Sequence, residues 1–363
     1  MLSESANAKI FVTSDSDGFE GARRVLEAYA ELFRPGMKIA LKPNLVVAKP
    51  ASSGATTSPR IVAGIIEFLR DCGVQDITVM EGAWVGEDTE RAWQACGFRE
   101  LEKKYGVRLL DLKKDRTRRV SVAGLEIEIC KSPLEVDRLV NMPVLKGHCQ
   151  TVMTCALKNL KGCIPDNEKR RFHSIGLHRA IAALNLAIRP DLILVDALCG
   201  DPTFEEGGNP SKMNLIIAGN DPVQIDAFSA SLMGISQSEI EYLRLAEELG
   251  VGSSEFHTVV KVGQVSAMSD VRARAARHWG RLVEEREACS ICYASLIYAL
   301  YHLEKQGKLG NLKWKIHVGQ GFRNVCGQGI GYGDCAGGFD MVIPGCPPSS
   351  VKLQALLASL EVK

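Results

Sequence analysis

The chain has 363 residues, 46% of them hydrophobic and 24% charged, and its 44 Lys and Arg nearly cancel 43 Asp and Glu, leaving a net charge of +1. That length suffices for one large core with an appendage, or for two domains. The near-neutral balance argues against a surface built mainly for nucleic acid or anionic membrane, and no apolar run approaches the ~20 residues of a membrane span. The start, MLSESANAKIFVTSDS, lacks the basic n-region and apolar run of a secretory signal, so a cytoplasmic protein is expected. Twelve cysteines in such a chain suggest buried thiols or metal ligands in preference to disulfides.

In chain order, residues 9–13 read as a strand and residues 21–33 as an amphipathic helix stopped by Pro35-Gly36. A buried strand over 38–41 ends in Lys42-Pro43-Asn44. Thr56-Thr57-Ser58-Pro59 caps a helix that runs to Cys72 and stops at Gly73. The next strand, 76–80, ends at Glu81-Gly82, and a helix over 89–96 closes at Gly97. Residues 107–112 and 119–123 are expected to form a hairpin whose tip carries Lys113, Lys114, Arg116 and Arg118, and residues 125–130 extend it. Residues 165–174 look mobile. A helix over 176–187, a strand over 191–196 ending at Asp196, an acidic loop over 201–210 and a strand over 214–218 follow. A helix from Asp221-Pro222 carries Asp226; a helix over 240–249, a strand over 258–262 and a charged helix over 269–288 come next. The strand–helix–strand rhythm predicts a parallel sheet covered on both faces, with ligands beyond the carboxyl ends of its strands.

The stretch from Val140 to Cys163, VNMPVLKGHCQTVMTCALKNLKGC, is the centre of the functional reading. Thr151, Thr154, Lys158 and Lys161 recur at helical spacing, with Met153, Leu157 and Leu160 opposite, so one helix face is expected to present cations near Lys146 and His148. Such a set suits a phosphate, a carboxylate or another acidic substrate. The alternative is a solvated basic face with a satisfied histidine.

From Cys289 the character changes. Cys289 and Cys292 form a CxxC pair at the start of an apolar helix, whose N–H groups favour thiolates. After a strand over 313–318, Cys326 and Cys335 fall in a glycine-rich loop, and Cys346 follows a strand over 340–343 within PGCPP, ahead of a helix from Ser349. Cys289, Cys292, Cys335 and Cys346 are the preferred ligands of an iron–sulfur cluster, with Cys326 in reserve. A structural zinc site with four cysteine ligands is the competing reading, although zinc sites favour two close pairs over convergence from three segments. The other seven cysteines lack ligand spacing.

Several short motifs recur together in a known order: KPNLV from Lys42, TTSP from Thr56, MEGA from Met80, LKGH from Leu145, LKNLKG from Leu157, LVDAL from Leu194 and DPVQIDA from Asp221. In these the first two thirds of the chain resembles the family called domain of unknown function 362. The CxxC…GCPP tail resembles the iron–sulfur tails of many of its members, but departs from their usual ferredoxin-like repeat. The resemblance therefore implies a single [4Fe–4S] cluster and no particular reaction.

The expected fold is α/β: a mixed, mostly parallel sheet core over 1–264, a helical connector over 265–288, and a small C-terminal α/β iron–sulfur region over 289–363. The expected activity is that of a redox enzyme with an anionic small-molecule substrate and an electron-transfer protein as candidate partner. Lys42, Lys146 and Lys158 would neutralise the anion; Asn44, Thr57, Asn159 and Lys161 would orient it. His148 is the general acid–base candidate because its ordinary pKa lies near neutrality. Glu81, Asp196, Glu206 and Asp226 would balance the lysines or hold a divalent ion. A non-catalytic electron carrier or ligand-binding module is the alternative.

Overall fold

The computed structural model describes residues 9–263, 265, 277–309 and 315–360. In chain order its first half contains β1 (Lys9–Ser14), α1 (Phe19–Leu26), β2 (Lys38–Lys42), α2 (Pro59–Asp71), β3 (Asp76–Glu81), α3 (Thr89–Ala95), α4 (Phe98–Tyr105), β4 (Arg108–Asp111), β5 (Thr117–Val122), β6 (Leu125–Cys130) and β7 (Arg138–Asn141). Then come β8 (Lys146–His148), β9 (Val152–Thr154), α5 (Ala156–Asn159), α6 (Asp166–Ser174), α7 (Leu177–Ala187), β10 (Leu192–Gly200), β11 (Ser211–Gly219), α8 (Pro222–Leu232), α9 (Glu241–Glu248) and β12 (Thr258–Lys261). The C-terminal part holds α10 (Arg277–Gly280), β13 (Val283–Glu285), α11 (Ser290–Lys305), β14 (Ile316–Val318), β15 (Cys326–Tyr332), β16 (Gly338–Ile343) and α12 (Ser350–Leu360).

An eight-stranded sheet runs in the order β12-β1-β11-β10-β7-β2-β3-β4. β11 is antiparallel to both of its neighbours, and the remaining pairs are parallel, so the sheet is mixed and mostly parallel. Alternate side chains of each strand go to opposite faces. Ile39, Leu41, Val140 and Leu194 pack with Ala22, Ile61, Trp93 and Phe98 of α1 to α4. Ala40, Leu139, Ile193 and Val195 pack with Leu157, Ala183, Val223 and Leu243 of α5 and α7 to α9. Helices thus cover both faces, as the strand–helix rhythm predicts. Local chemistry sets the element ends: Ser58 Oγ accepts from Arg60 N at 3.2 Å with Pro59 in the first turn, and Gly73, at φ 82°, stops α2.

The tail forms a second, four-stranded parallel sheet in the order β13-β14-β15-β16. It packs on the core: the Phe204 ring lies 5.4 Å from Tyr298 and 5.2 Å from Tyr301, and Gln150 Nε2 donates to Ala288 O at 3.0 Å.

Five expectations from sequence give way. The hairpin is β5–β6, turning at Ala123-Gly124, while β4 joins the large sheet beside β3. Lys113 is therefore no exposed tip; its Nζ donates to Trp84 O, Glu87 O and Asp166. Residues 165–174 form α6, because Asp166 and Glu168 sit in its first turn and Phe172 is buried in the core. The long helix through Thr151 and Lys161 is broken: Val152–Thr154 pairs with Lys146–His148 as a short hairpin, and only Ala156–Asn159 is α-helical, followed by a 3-10 turn over Leu160–Cys163. The helix over 269–288 is not continuous, since β13 occupies Val283–Glu285; residues 266–276 lie outside the described residues. The glycine-rich stretch from Cys326 is strand β15 and not a loop.

Candidate functional site

Lys42 ends β2 in register with Asn141 of β7, and Glu81 ends the neighbouring β3. These strand ends support a fully buried polar network. Lys42 Nζ donates to Glu81 Oε2 at 2.8 Å, to Pro43 O at 2.8 Å and to Asn159 Oδ1 at 3.3 Å. Asn44 Nδ2 donates to Asn159 Oδ1 at 2.8 Å, and Asn159 Nδ2 donates to Asn141 Oδ1 at 2.7 Å. Thr57 Oγ1 accepts from Asn44 N at 2.8 Å and donates to Met142 O at 2.9 Å, which clamps the KPN loop to the strand end. The glycine of LKNLKG is required here: a Cβ on Gly162 would strike Glu81 Oε1 and come within 2.7 Å of Lys42 Nζ.

Lys146 and His148 belong to the same buried layer. Lys146 Nζ donates to Asn44 Oδ1 at 2.6 Å, Ala55 O at 2.6 Å and Glu205 O at 2.9 Å, so all three of its protons are used. Burial lowers its pKa to about 7, against the pull of Glu205. His148 Nδ1 accepts from Gln150 N at 3.0 Å and Thr151 N at 3.1 Å, which leaves the proton on Nε2, 2.9 Å from Glu205 Oε2. Burial, with Lys158 nearby, holds the ring pKa at about 4. Glu205 is the hub. Lys158 Nζ donates to its Oε1 at 2.5 Å and Thr154 Oγ1 donates to the same oxygen at 3.2 Å. Burial works to raise its pKa, but Lys158 and His148 outweigh that and hold it well below the usual carboxylate range.

In front of this network is a cavity of about 60 Å³, suited to a small molecule. Of the residues expected from sequence, Asn44, Glu81, Lys158, Asn159 and Lys161 line it. Lys42, Thr57 and Lys146 stand behind the wall, saturated by internal partners, and His148 stands with them, its Nδ1 taken by two backbone N–H groups and its Nε2 2.9 Å from Glu205, so that it does not line the cavity as a free base. Residues that sequence reasoning missed complete the wall: Trp84, Lys169, Arg170, His173 and Glu205. Lys161 Nζ donates to His173 Nε2 at 3.3 Å, and Ser290 Oγ lies 3.5 Å from the same nitrogen. Burial and Lys158 lower the Lys161 pKa to about 7, and burial together with Lys161 holds His173 well below its ordinary value. Lys169, Arg170 and His173 share a face of α6, a spacing visible in KRRFH once that segment is read as a helix.

The four acids expected to serve one site do not share it: three have separate partners and the fourth lies off the cavity wall. Glu81 pairs with Lys42. Asp196 accepts from Ser58 N at 2.7 Å and Leu198 N at 3.0 Å, fixing the start of α2 to β10. Asp226 does not face solvent; it accepts from Ala156 N at 2.6 Å and Leu157 N at 3.3 Å, because the first turn of α5 has no other acceptor for those N–H groups. Glu206 is not among the residues that line the cavity, and burial pushes its pKa up to about 7. Its neighbour Glu205 takes the central place.

Cys289 caps α11 and lines the same cavity. After burial, the Cys292 thiol is pushed up in pKa by Cys289, Cys346 and Cys335, so these four sulfurs lie in one neighbourhood. Cys326, Cys335 and Cys346 line a surface depression with Arg323, whose guanidinium bonds to Cys335. Among the described residues, no three His, Cys, Asp or Glu side chains are gathered tightly enough to grip a single metal ion. No helix among them is long and apolar enough to cross a membrane.

A curated relative, "Thylakoid-associated protein sll1697" of Synechocystis sp., is 24% identical over 225 residues, covering 60% of this chain and 70% of the relative. Among solved structures, the lactate racemase apoprotein from Thermoanaerobacterium thermosaccharolyticum aligns with a TM-score of 0.40 and 14% identity over 62% of this chain, which spans 57% of the racemase chain. The family model described as Domain of unknown function (DUF362) matches residues 39–231, more than half of the chain and the whole of the buried network, with the tail cysteines beyond it. The chain belongs to that family.

Proposed function

We propose that Cys289, Cys292, Cys335 and Cys346 hold one [4Fe–4S] cluster and that the protein is a redox enzyme acting on an anionic small molecule bound in the adjoining cavity. The observation that carries this reading is the shared wall: Cys289 lines the cavity together with Lys158, Lys161, Arg170 and His173. The donor set fits. Four thiols are the usual ligands of such a cluster, and a cluster spreads its thiolates wider than one ion does. The cap position of Cys289 on α11 offers backbone N–H groups to an anionic centre. Arg323, bonded to Cys335, and Arg170, close enough to Cys289 to lower its thiol pKa against the effect of burial, add positive charge.

A bound cluster would supply electrons one at a time, replenished by an electron-transfer protein. The chain's own residues would hold the anion at Lys161 and Arg170, while Trp84 and Ile291 narrow the access of water. The size of the α/β core favours an enzyme over a bare carrier, which needs no such cavity. A cytoplasmic setting suits a cluster that oxygen and oxidants damage.

Anaerobically isolated protein is expected to be brown, with about four iron and four acid-labile sulfide per chain. Cys289→Ser and Cys346→Ser should each lose both, whereas Cys72→Ser should retain them. Stoichiometric zinc without sulfide would sink the cluster and leave the alternative of zinc held by the same four cysteines.

A further inference from the structure

The cations around the cavity are not equivalent. Lys158 is paired with Glu205 at 2.5 Å. Lys169 gives its protons to Gly82 O, Ala83 O and Asp166 Oδ1 at 2.8 to 3.1 Å. Lys161 has a single neutral partner, His173. The Arg170 guanidinium has no hydrogen-bond or ion-pair partner among the described residues; only its carbonyl is engaged, by Gln320. Two cationic groups with unused donors therefore face one small space, both carried by the segment between α5 and the end of α6.

Glu81 and Glu205 also line the space but are already paired with Lys42 and Lys158, and one further part of the wall has opposite character. Val46 follows β2, and Ala83, Trp84 and Val85 follow β3; Ile291 joins them from α11. A ligand that fills the space must present acceptors to one set of elements and hydrocarbon to the other. Inorganic phosphate carries acceptor oxygens on every side and would turn some of them to Val46, Val85 and Ile291, with the cost of unpaired polar atoms. A carboxylate has both oxygens at one end, a geometry that matches the guanidinium fork.

We infer that the cavity selects a small organic monocarboxylate with an apolar or aromatic tail, its carboxylate held by Lys161 and Arg170 and its tail against Val46, Trp84 and Val85. This rests on the reading of the cavity as an anion site. The same anion chemistry is available to free phosphate, and the tail is what separates the two.

The test is isothermal titration of the protein as isolated with acetate, butyrate, benzoate and inorganic phosphate, with iron and sulfide measured on the same sample. Butyrate should bind about tenfold more tightly than acetate, from two more buried methylenes. Benzoate should equal or exceed butyrate, and phosphate should bind less tightly than butyrate. Lys161→Gln and Arg170→Gln should each weaken all three carboxylates by about tenfold. Trp84→Ala should weaken benzoate more than acetate. Arg60→Gln, on the outer surface where Arg60 pairs with Asp17, should change nothing. Circular dichroism checks that each variant folds, and Arg170→Gln breaks no internal side-chain bond. Phosphate binding as tightly as butyrate, affinity independent of tail length, or no carboxylate binding at millimolar concentration would each overturn the inference. Carboxylate binding without iron removes the redox reading and keeps this one; iron without carboxylate binding does the reverse.

Discussion

The layer behind the cavity and the wall facing it are built from the same residue types, lysine and histidine with a few acids and amides. Behind the wall, Lys42, Lys146 and His148 have their donors and acceptors committed to Glu81, Asn44, Asn159, Glu205 and backbone groups. On the wall, Lys161 and Arg170 keep donors in reserve, and Cys289 lines the same cavity. A charge buried among fixed partners is architecture, because removing a partner strands the other charge. A charge that keeps open donors beside a cavity is the one able to meet a ligand. Residue type and neighbourhood do not separate these two roles; counting each atom's partners does.

The largest effect is expected from stranding a charge in the rear layer. Lys42→Met leaves Glu81 buried without its cation and should cost about 3–5 kcal/mol of unfolding free energy, read by urea denaturation. A loss under about 1 kcal/mol would show that Glu81 finds another partner and that the rear layer is not an obligatory ion network.

A smaller effect is expected from pH. Burial pushes Asp226 up to about 7 and Asp196 up to about 6. The folded chain keeps these protons at a pH where the unfolded chain, with carboxyls near 3.9, has released them. The folded state therefore binds more protons across this window, and stability falls as pH rises from about 4 to about 7. Asp226→Asn, which keeps an oxygen for the shorter bond from Ala156 N and gives up the longer one from Leu157 N, should flatten the upper part of that fall in thermal unfolding curves recorded across the window. A slope unchanged by the substitution would place the titration elsewhere.

The smallest effect is predicted for the front. Lys161→Met should shift unfolding free energy by no more than about 0.5 kcal/mol, because it forfeits one long bond to His173. If it cost as much as Lys42→Met, the division between rear layer and wall would collapse.

Much of the core was legible from periodicity alone. The strands beginning at Lys9, Lys38 and Asp76 and the helix begun by Ser58-Pro59 lie where alternation, caps and glycine stops place them. The segment Asp166–Ser174 was not, since its mean polarity masks a helix anchored by one buried ring, Phe172. With it went Lys169, Arg170 and His173. The long amphipathic helix through Lys158 fails for a related reason: period 3.6 fits the residues, but the antiparallel pairing of Val152–Thr154 with Lys146–His148 competes for the same backbone groups and prevails.

By itself the sequence determined which chemistry was present: lysines, amides and acids just past strand ends, and thiols gathered after Cys289. It also determined where the backbone must come close, as at Gly162, where no side chain fits between Glu81 and Lys42. Only the tertiary structure decided which of those groups are spent. Glu205 and Glu206 are adjacent and chemically identical, yet the fold brings Lys158 and His148 to the first and leaves the second off the cavity wall. Lys146 and Lys161 both lie in the central stretch, yet one meets three acceptors and the other a single imidazole. Local sequence sets a residue's own conformation and charge. Its partners arrive from segments tens of residues away, and the number that reach it is a property of the packed fold.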